Sequence, residues 1–421
     1  MASNGIRPLN AFRDSTKVEL RPPTKNPRMI NAYSQKGTIN CRRTTLAFVI
    51  SFMQARLKIG SALGINVHDD EWESLKQMMC SLDRIDQRPN KIDADFSGYD
   101  KKKFEQLVDE LMITMTMWYG DKGKITEQRR NLYLCDLKAS YHVVNVYSEE
   151  PPKALNVYTY VDEDTPMNGE EIIALEDMEQ FEIDLNLGEF DKIVGKNYTT
   201  MVIKGKKVFV YTVLYRWRGG TPSGHPLTTI ANIHDNHIIT GTAILQSYFD
   251  KPDIGFEQVE EAMWVLNNVV LEAFGDDHLI AISDEIRDRV TFRTLKKWIG
   301  YLGMDYTPAS KDEEEYDYKT LEQCTFLKRG FDFHPILKRT VGRLPLDVIR
   351  NIVCWKKAKE SSHIMRDRID DFMKELTYYD GKTFEEERDT LLPHLQANHC
   401  PTTVGYLENL ALVTSQKTEY F

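Results

Sequence analysis

The sequence predicts an α+β protein whose mixed centre is followed by an all-helical C-terminal region. Three patterns carry that reading. Two apolar runs, 269–274 and 278–282, flank Gly275-Asp276-Asp277 and read as a β-hairpin with two carboxylates at its tip. Across 101–119, Phe104, Leu107, Val108, Leu111, Met112 and Met115 recur at helical spacing, a core-packing stripe. Beyond residue 345 the helical pattern returns at 346–359, 363–376, 383–396 and 402–412. The remaining elements follow in order. The stretch up to about residue 37 holds Pro22, Pro23 and Pro27 and is expected to be an extended arm or loop. Helices are expected over 42–63 and 70–83, and a short strand over 91–96 that turns at Ser97-Gly98. The segment 149–192, with Pro151, Pro152 and Pro166 and no regular pattern, is expected to be a surface insertion. Residues 204–216 alternate and are β-branched, as in a hairpin. Further helices are expected over 226–247, with Pro226 in the first turn, and over 285–299.

The 421 residues leave room for two or three domains, and 41% hydrophobic with 28% charged residues is ordinary for a soluble globular chain. The apolar stretch around 44–52 is too short to span a membrane, and residues 1–10 lack the apolar core of a signal peptide. Six cysteines stand far apart with no CxxC pair, which argues against a zinc site and fits reduced thiols in a cytosolic setting. His234 and His237 have no zinc-type partner spacing, so they read as helix surface. A net charge of −10 argues against nucleic-acid binding until its distribution is considered. Residues 1–60 hold eleven Lys and Arg against Asp14 and Glu19, whereas 149–192 hold fourteen Asp and Glu against Lys153 and Lys192. That asymmetry points to a basic surface for a polyanion and a separate acidic element.

Adjacent carboxylates on a rigid turn repel each other unless a cation lies between them, and Mg²⁺ suits such oxygen ligands. The hairpin alone decides little, because an acidic turn facing water has the same residues. Asp95 and Asp100 form a second carboxylate pair at the end of the strand expected over 91–96. Carboxylates from two neighbouring strands are the minimum equipment for two divalent ions about 3.5–4 Å apart, a pair that clamps a phosphoryl group. Between the two acidic pairs, a glycine-rich loop over 219–226 runs into a helix N-terminus, whose free N–H groups favour anions. Thr228 and Asn232, four residues apart, share one helix face, where a hydroxyl and an amide can read a sugar hydroxyl.

With these residues assembled, the chain resembles the viral RNA-dependent RNA polymerases of the picornavirus-like superfamily. Asp95-x4-Asp100 matches the first palm motif of that family, Ser223-Gly224-x3-Thr228-x3-Asn232 the second, and Phe274-Gly275-Asp276-Asp277 the third. Tyr306-Thr307-Pro308-Ala309-Ser310-Lys311 resembles the fourth, and Phe326-Leu327-Lys328-Arg329 the fifth. Lys17-Val18-Glu19-Leu20-Arg21, with Lys25 and Arg28, resembles the basic fingers motif. The resemblance runs from about residue 15 to the C-terminus. It implies a right-hand fold with an antiparallel palm sheet and a helical thumb. Within that fold, 1–90 would be partial fingers, 91–140 and 211–330 the two parts of the palm, 141–210 an acidic fingers insertion, and 331–421 the thumb. The family carries a long fingers stretch ahead of the basic motif, so a partial chain lacking its N-terminal fingers is expected. The insertion accounts for most of the unusually long spacing between Asp100 and Ser223. His225-Pro226-Leu227 replaces smaller residues and is expected to stiffen the second-motif loop.

The activity implied by the resemblance is RNA-templated RNA synthesis by two-metal nucleotidyl transfer, replicating a positive-strand RNA genome. Asp95 and Asp276 would hold two Mg²⁺ ions, with Mn²⁺ as a substitute and Asp277 as a weaker contributor. Lys311 would be the general acid for pyrophosphate. Asp100, Ser223, Gly224, Thr228 and Asn232 would line the nucleotide and recognise its ribose 2′-hydroxyl. Lys17, Arg21, Lys25 and Arg28 would neutralise the triphosphate, and Lys328 and Arg329 would grip the primer backbone. The implied partners are RNA template and primer, ribonucleoside triphosphates, a protein primer and other viral replication proteins. The implied setting is a replication complex in the host-cell cytoplasm. A reverse transcriptase shares the carboxylate geometry, but the ribose-reading set argues against it. An inactive RNA-binding replication fragment is the alternative outside enzymes.

Overall fold

Strands β1 (Ala11–Thr16) and β2 (Met29–Ala32) pair antiparallel and are followed by helix α1 (Gln35–Ala55) and helix α2 (Glu71–Met79). The computed structural model describes residues 11–17, 28–84, 88–120, 124–148, 159–160, 199–203, 205–218, 220–310, 314–354, 362–397 and 405–415. The N-terminal stretch, expected as an arm, is thus strand in its described part, and the prolines at 22, 23 and 27 lie outside the described residues. The second partner of β1 is distant in sequence. Strand β1 pairs in parallel with β4, from Ala11 opposite Tyr141 to Arg13 opposite Val143. Helix α1 begins seven residues before its expected start, because the Ser34 hydroxyl accepts a hydrogen bond from Gly37 N at 3.0 Å and caps it.

Next come β3 (Lys91–Ser97), α3 (Tyr99–Lys102), α4 (Gln106–Tyr119), α5 (Lys124–Lys138), β4 (Ala139–Ser148), β5 (Thr159–Tyr160), β6 (Thr199–Ile203) and β7 (Lys206–Arg218). The single helix expected over 101–119 is broken at Lys103, whose backbone is extended (φ −70°, ψ 139°). That break carries the Lys103 side chain into a buried polar cluster described below. Strands β4 and β7 form a long antiparallel ladder, β6 and the short β5 share the other edge of β7, and the sheet order is β2-β1-β4-β7-β5. This sheet takes in 139–148 and 206–218, crossing the edges of the expected palm segments at 140 and 211. Helices α1, α4 and α5 pack around Cys41, Phe48, Leu111, Met115, Leu134 and Leu137. Apart from Thr159–Tyr160, the acidic segment 149–192 lies outside the described residues.

The second half runs through α6 (Thr228–Phe249), α7 (Val259–Asn267), β8 (Val269–Phe274), β9 (Asp277–Ile282), α8 (Phe292–Tyr301) and β10 (Asp305–Pro308). Its sheet is antiparallel throughout, in the order β10-β3-β9-β8. One face, with Ile92, Ala94, Phe96, Ile280 and Ile282, packs on Ile239 and Ala243 of α6 and on Leu295 and Ile299 of α8. The other face, with Leu279 and Ala281, packs on Trp72, Leu75 and Met79 of α2 and on Phe326 and Phe331. A sheet covered on both faces explains why β9 reads as a continuous apolar run rather than an alternating one. Helix α8 starts later than expected because Thr291 caps it, accepting from Thr294 N.

A two-stranded ribbon, β11 (Asp332–His334) and β12 (Arg339–Val341), leads to helices α9 (Leu346–Cys354), α10 (Ser362–Leu376), α11 (Gly381–Ala397) and α12 (Tyr406–Ser415). They match the four expected C-terminal helices within a few residues where described. Ile349, Ile369, Phe372, Met373, Leu376 and Phe384 form their core. Among the described residues no helix is long and apolar enough to cross a membrane.

Candidate active site

The hairpin between β8 and β9 closes tightly, with Phe274 opposite Asp277 and only Gly275-Asp276 between them. Gly275 has φ +68° at the first turn position, as a type II′ turn requires. Helix α6 holds the turn from below. Asn236 Nδ2 donates to Gly275 O at 3.0 Å, and the Asn236 amide oxygen accepts from Thr240 Oγ1 at 3.0 Å. His278 Nδ1 lies 3.0 Å from that same oxygen, and Nε2 lies 2.7 Å from Tyr306 Oη. Burial pushes His278 down to about 3, so the ring is neutral. An amide oxygen can only accept, so Nδ1 carries the proton and Nε2 accepts from Tyr306.

Strand β3 lies beside β9 with Ala94 opposite His278, and the next position in that register sets Asp95 against Asp277. Asp276 reaches solvent at the tip. Desolvation by the surrounding protein, then the charges on Asp95 and Asp100, push its carboxyl up to about 6. Asp277 goes up to about 7, chiefly by burial and also by repulsion from Asp95, Asp276 and Asp93, although Leu327 N donates to its Oδ2 at 2.7 Å. Asp93, which the sequence did not single out, is fully buried and joined to Lys319 Nζ at 2.8 Å and Thr325 N at 2.8 Å. Among the described residues no three His, Cys, Asp or Glu side chains form a ready cage for a metal ion. His234 and His237 point to separate partners, the Thr114 hydroxyl at 3.1 Å and the Gly60 carbonyl at 2.7 Å.

A second cluster joins α3 to the loop before α6. Asn232 Nδ2 donates to Asp100 Oδ1 at 2.8 Å, while Lys103 Nζ donates to Asn232 Oδ1 at 2.6 Å and to Thr221 Oγ1 at 2.9 Å. Lys103 is also ion-paired with Asp235, and Tyr99 Oη donates to the Asn232 carbonyl at 3.0 Å. Thr221 N donates to the Asp100 carbonyl at 2.7 Å, tying the loop's first turn to the strand-end carboxylates. The Thr228 hydroxyl, read from sequence as facing a sugar, donates to Pro222 O at 2.7 Å and folds its own loop. Ser223 N donates to Asn31 Oδ1 at 3.2 Å, and Asn31 N donates to Ser223 Oγ at 3.2 Å, so β2 clasps the loop. Gly224 is required by the same contact, since a Cβ there would lie 1.8 Å from the Asn31 carbonyl oxygen. His225 packs against Tyr33 with ring centroids 5.1 Å apart and the rings tilted by 52°, and burial pushes it down to about 3.

A family model described as viral RNA-dependent RNA polymerase matches residues 179–420, more than half of the chain. The chain belongs to the viral RNA-dependent RNA polymerase family. It is 22% identical over 396 residues to the replicase polyprotein of Cricket paralysis virus, which covers 92% of this chain and 18% of the polyprotein. It is 30% identical over 189 residues to the RNA1 polyprotein of Broad bean wilt virus 2, covering 44% of this chain and 10% of that polyprotein. The chain therefore spans less than a fifth of either polyprotein. Among solved structures, a sicinivirus 3Dpol RNA-dependent RNA polymerase superposes with a TM-score of 0.65 at 13% identity, covering 98% of this chain and 69% of that one. The fold is thus that of a right-hand polymerase.

The polymerase family match begins after Asp95 and Asp100, so their place beside the hairpin comes from the pairing of β3 with β9. Of the basic fingers motif, Lys17 and Arg28 are exposed where β1 and β2 meet, with Lys17 N donating to Arg28 O at 2.8 Å. Arg21 and Lys25 lie outside the described residues, as does Lys311 of the fourth motif. In the fifth motif, Lys328 is exposed, as a backbone grip requires. Arg329 departs from that expectation. Its guanidinium turns inward to a bidentate pair with Glu375 of α10, at 2.8 and 2.6 Å, and donates to the Gly342 carbonyl at 2.6 Å. A guanidinium with its forks filled by a buried carboxylate ties the turn over 326–329 to α10 rather than meeting a phosphate.

Proposed function

We propose that this chain catalyses templated transfer of ribonucleotides to the 3′-end of an RNA primer, copying a positive-strand RNA genome. The observation that supports the reading most directly is the meeting of Asp95, on β3, with the Asp276-Asp277 turn on the neighbouring strand. Mg²⁺ is typically held by one or two carboxylates plus substrate phosphate oxygens, so a donor set that is not a closed cage fits it. Burial first, and repulsion among these carboxylates after it, push the Asp276 and Asp277 carboxyls up, and a bound cation would relieve both costs. Asp95 and Asp276 would hold the metal pair, and Asp277, already bonded to Leu327 N, would contribute less. The chemistry a metal pair supplies when bound is activation of the attacking hydroxyl and stabilisation of the leaving oxygen. Asn236 and Gly275 fix where the turn presents its carboxylate, and the exposed Lys17 and Arg28 would supply positive charge to a triphosphate. Asp100 and Asn232 form a hydrogen-bonded pair that can recognise a ribose 2′-hydroxyl, so deoxynucleotides would leave it unsatisfied.

Primer extension on an RNA template with Mg²⁺, run with ribo- and deoxyribonucleotides, tests this reading. Asn232→Asp replaces the donor facing Asp100 with a second acceptor, so the preference for ribonucleotides is expected to fall roughly tenfold to a hundredfold. The overall rate should fall less. Equal use of both sugars by the parent chain would overturn the sugar-reading role of Asp100 and Asn232.

A further inference from the structure

Lys103 is a lysine almost wholly out of water, 6% exposed, beneath the amide proposed to read the sugar. Its counter-ion Asp235 is 1% exposed and lies one turn along α6 from Asn232. Burying such a pair costs desolvation that an apolar pair of the same size avoids, so it is weak evidence for stability alone. The backbone also breaks a helix to place it, since α3 ends and α4 resumes around the extended Lys103. The ammonium does one thing that an apolar side chain cannot. It donates to Asn232 Oδ1 at 2.6 Å, and an ammonium has no acceptor to offer. A side-chain amide is nearly symmetric and can flip, so its direction is set by its partners. With Oδ1 fixed on Lys103, Nδ2 must face the other way, where it meets Asp100 Oδ1 at 2.8 Å. Asp100 is left to meet a ligand hydroxyl with its remaining oxygen, in an orientation that the amide dictates. The third donor contact, to Thr221 Oγ1 at 2.9 Å, ties the same ammonium to the loop that leads into α6.

We propose that Lys103, held by Asp235, is a positioning residue for sugar discrimination: it locks the Asn232 amide so that its N–H group faces Asp100. The inference rests on the sugar-reading role of Asp100 and Asn232. Lys103→Met alone leaves Asp235 buried and uncompensated and is expected to lose stability. The decisive variant is therefore Lys103→Met/Asp235→Leu, which replaces the ion pair with apolar groups of similar size.

Full-length parent and variants are compared in single-nucleotide incorporation, reading kcat/KM for a ribonucleoside triphosphate against its 2′-deoxy analogue. Equilibrium binding of the two triphosphates gives a second readout. The double variant should melt close to the parent yet lose roughly tenfold in the ribose preference of both readouts. Adding Asn232→Ala to it should cause no further loss, as residues on one path do not add. Lys103→Arg should retain most of the preference. A folded double variant whose preference stays within about twofold of the parent overturns the role of Lys103, provided that Asn232→Ala alone does lower it. If Asn232→Ala leaves the preference unchanged, the sugar reading itself fails and this inference falls with it.

Discussion

Asp276→Asn is expected to lower templated incorporation by about a thousandfold or more, in a protein at least as stable as the parent at pH 8. The two halves of that result have one cause. The substitution keeps the shape of the turn, because Gly275 supplies the backbone conformation and Asn236 holds its carbonyl. What it removes is a carboxylate charge that the surrounding protein desolvates and that Asp95 and Asp100 repel. Because folding raises the Asp276 carboxyl from its ordinary 3.8 to about 6, the folded chain holds that proton more tightly than the unfolded chain does. Its favourable contribution is fully present below about pH 4 and is lost as pH rises through about 6. Above that, the ionised carboxylate is a penalty that Asn does not have. Melting curves without divalent ions at pH 5 and pH 8 should therefore show a larger gain for the variant at pH 8. Mg²⁺ should raise the melting temperature of the parent more than that of the variant. Asp277→Asn should be milder in the incorporation assay, since its side-chain oxygen can still accept from Leu327 N. Incorporation that survives Asp276→Asn would remove this carboxylate from the chemistry.

The legible parts of this protein were those whose cause is local. The β8–β9 hairpin announces itself through a turn dipeptide between apolar runs, and the C-terminal helices through a repeat at helical spacing. Asp95 could be placed at a strand end because the strand is short and bounded by Ser97-Gly98. The hidden parts depend on partners far away in the chain. Strand β1 lies in parallel with β4, some 130 residues later, and no pattern in 11–17 records that. Lys103 read as one more polar position on a helix because its partners, Asn232 and Asp235, sit on another element. Asn236 and His278, which fix the β8–β9 turn, were passed over for a related reason. Asn236 is one helical turn beyond Asn232 on α6, so it lay within reach of the same face argument. The Thr228 hydroxyl was assigned to a ligand, whereas the Pro222 carbonyl takes it first. Short polar side chains at loop–helix junctions usually satisfy their own backbone before anything else.

Arg329→Met is expected to destabilise the protein by about 3–5 kcal/mol, because it strands the buried Glu375 carboxylate of α10. Both partners are nearly buried, at 9% and 7% exposure, so little water is available to replace the lost guanidinium. Arg329→Met/Glu375→Met should recover most of the loss, which denaturant unfolding of the three variants would measure. A functional cost should remain. Phe326 and Arg329 exchange both backbone hydrogen bonds at 2.9 Å across a turn whose central residues, Leu327 and Lys328, have φ of +54° and +62°. Side chains rarely adopt that conformation in succession, so the turn is held by what flanks it. Arg329 is one flank. Leu327 N, bonded to Asp277, stands at the other end of the same turn. Releasing the arginine lets the turn relax and withdraws the donor that steadies the second aspartate, so incorporation should stay depressed even in the stable double variant. RNA binding separates this account from a direct grip on the primer. Lys328→Ala should weaken binding and reduce its salt dependence by about one counterion, whereas the double variant at Arg329 and Glu375 should leave that slope unchanged. A double variant with parental stability and a slope reduced like that of Lys328→Ala would put the Arg329 guanidinium on the RNA instead.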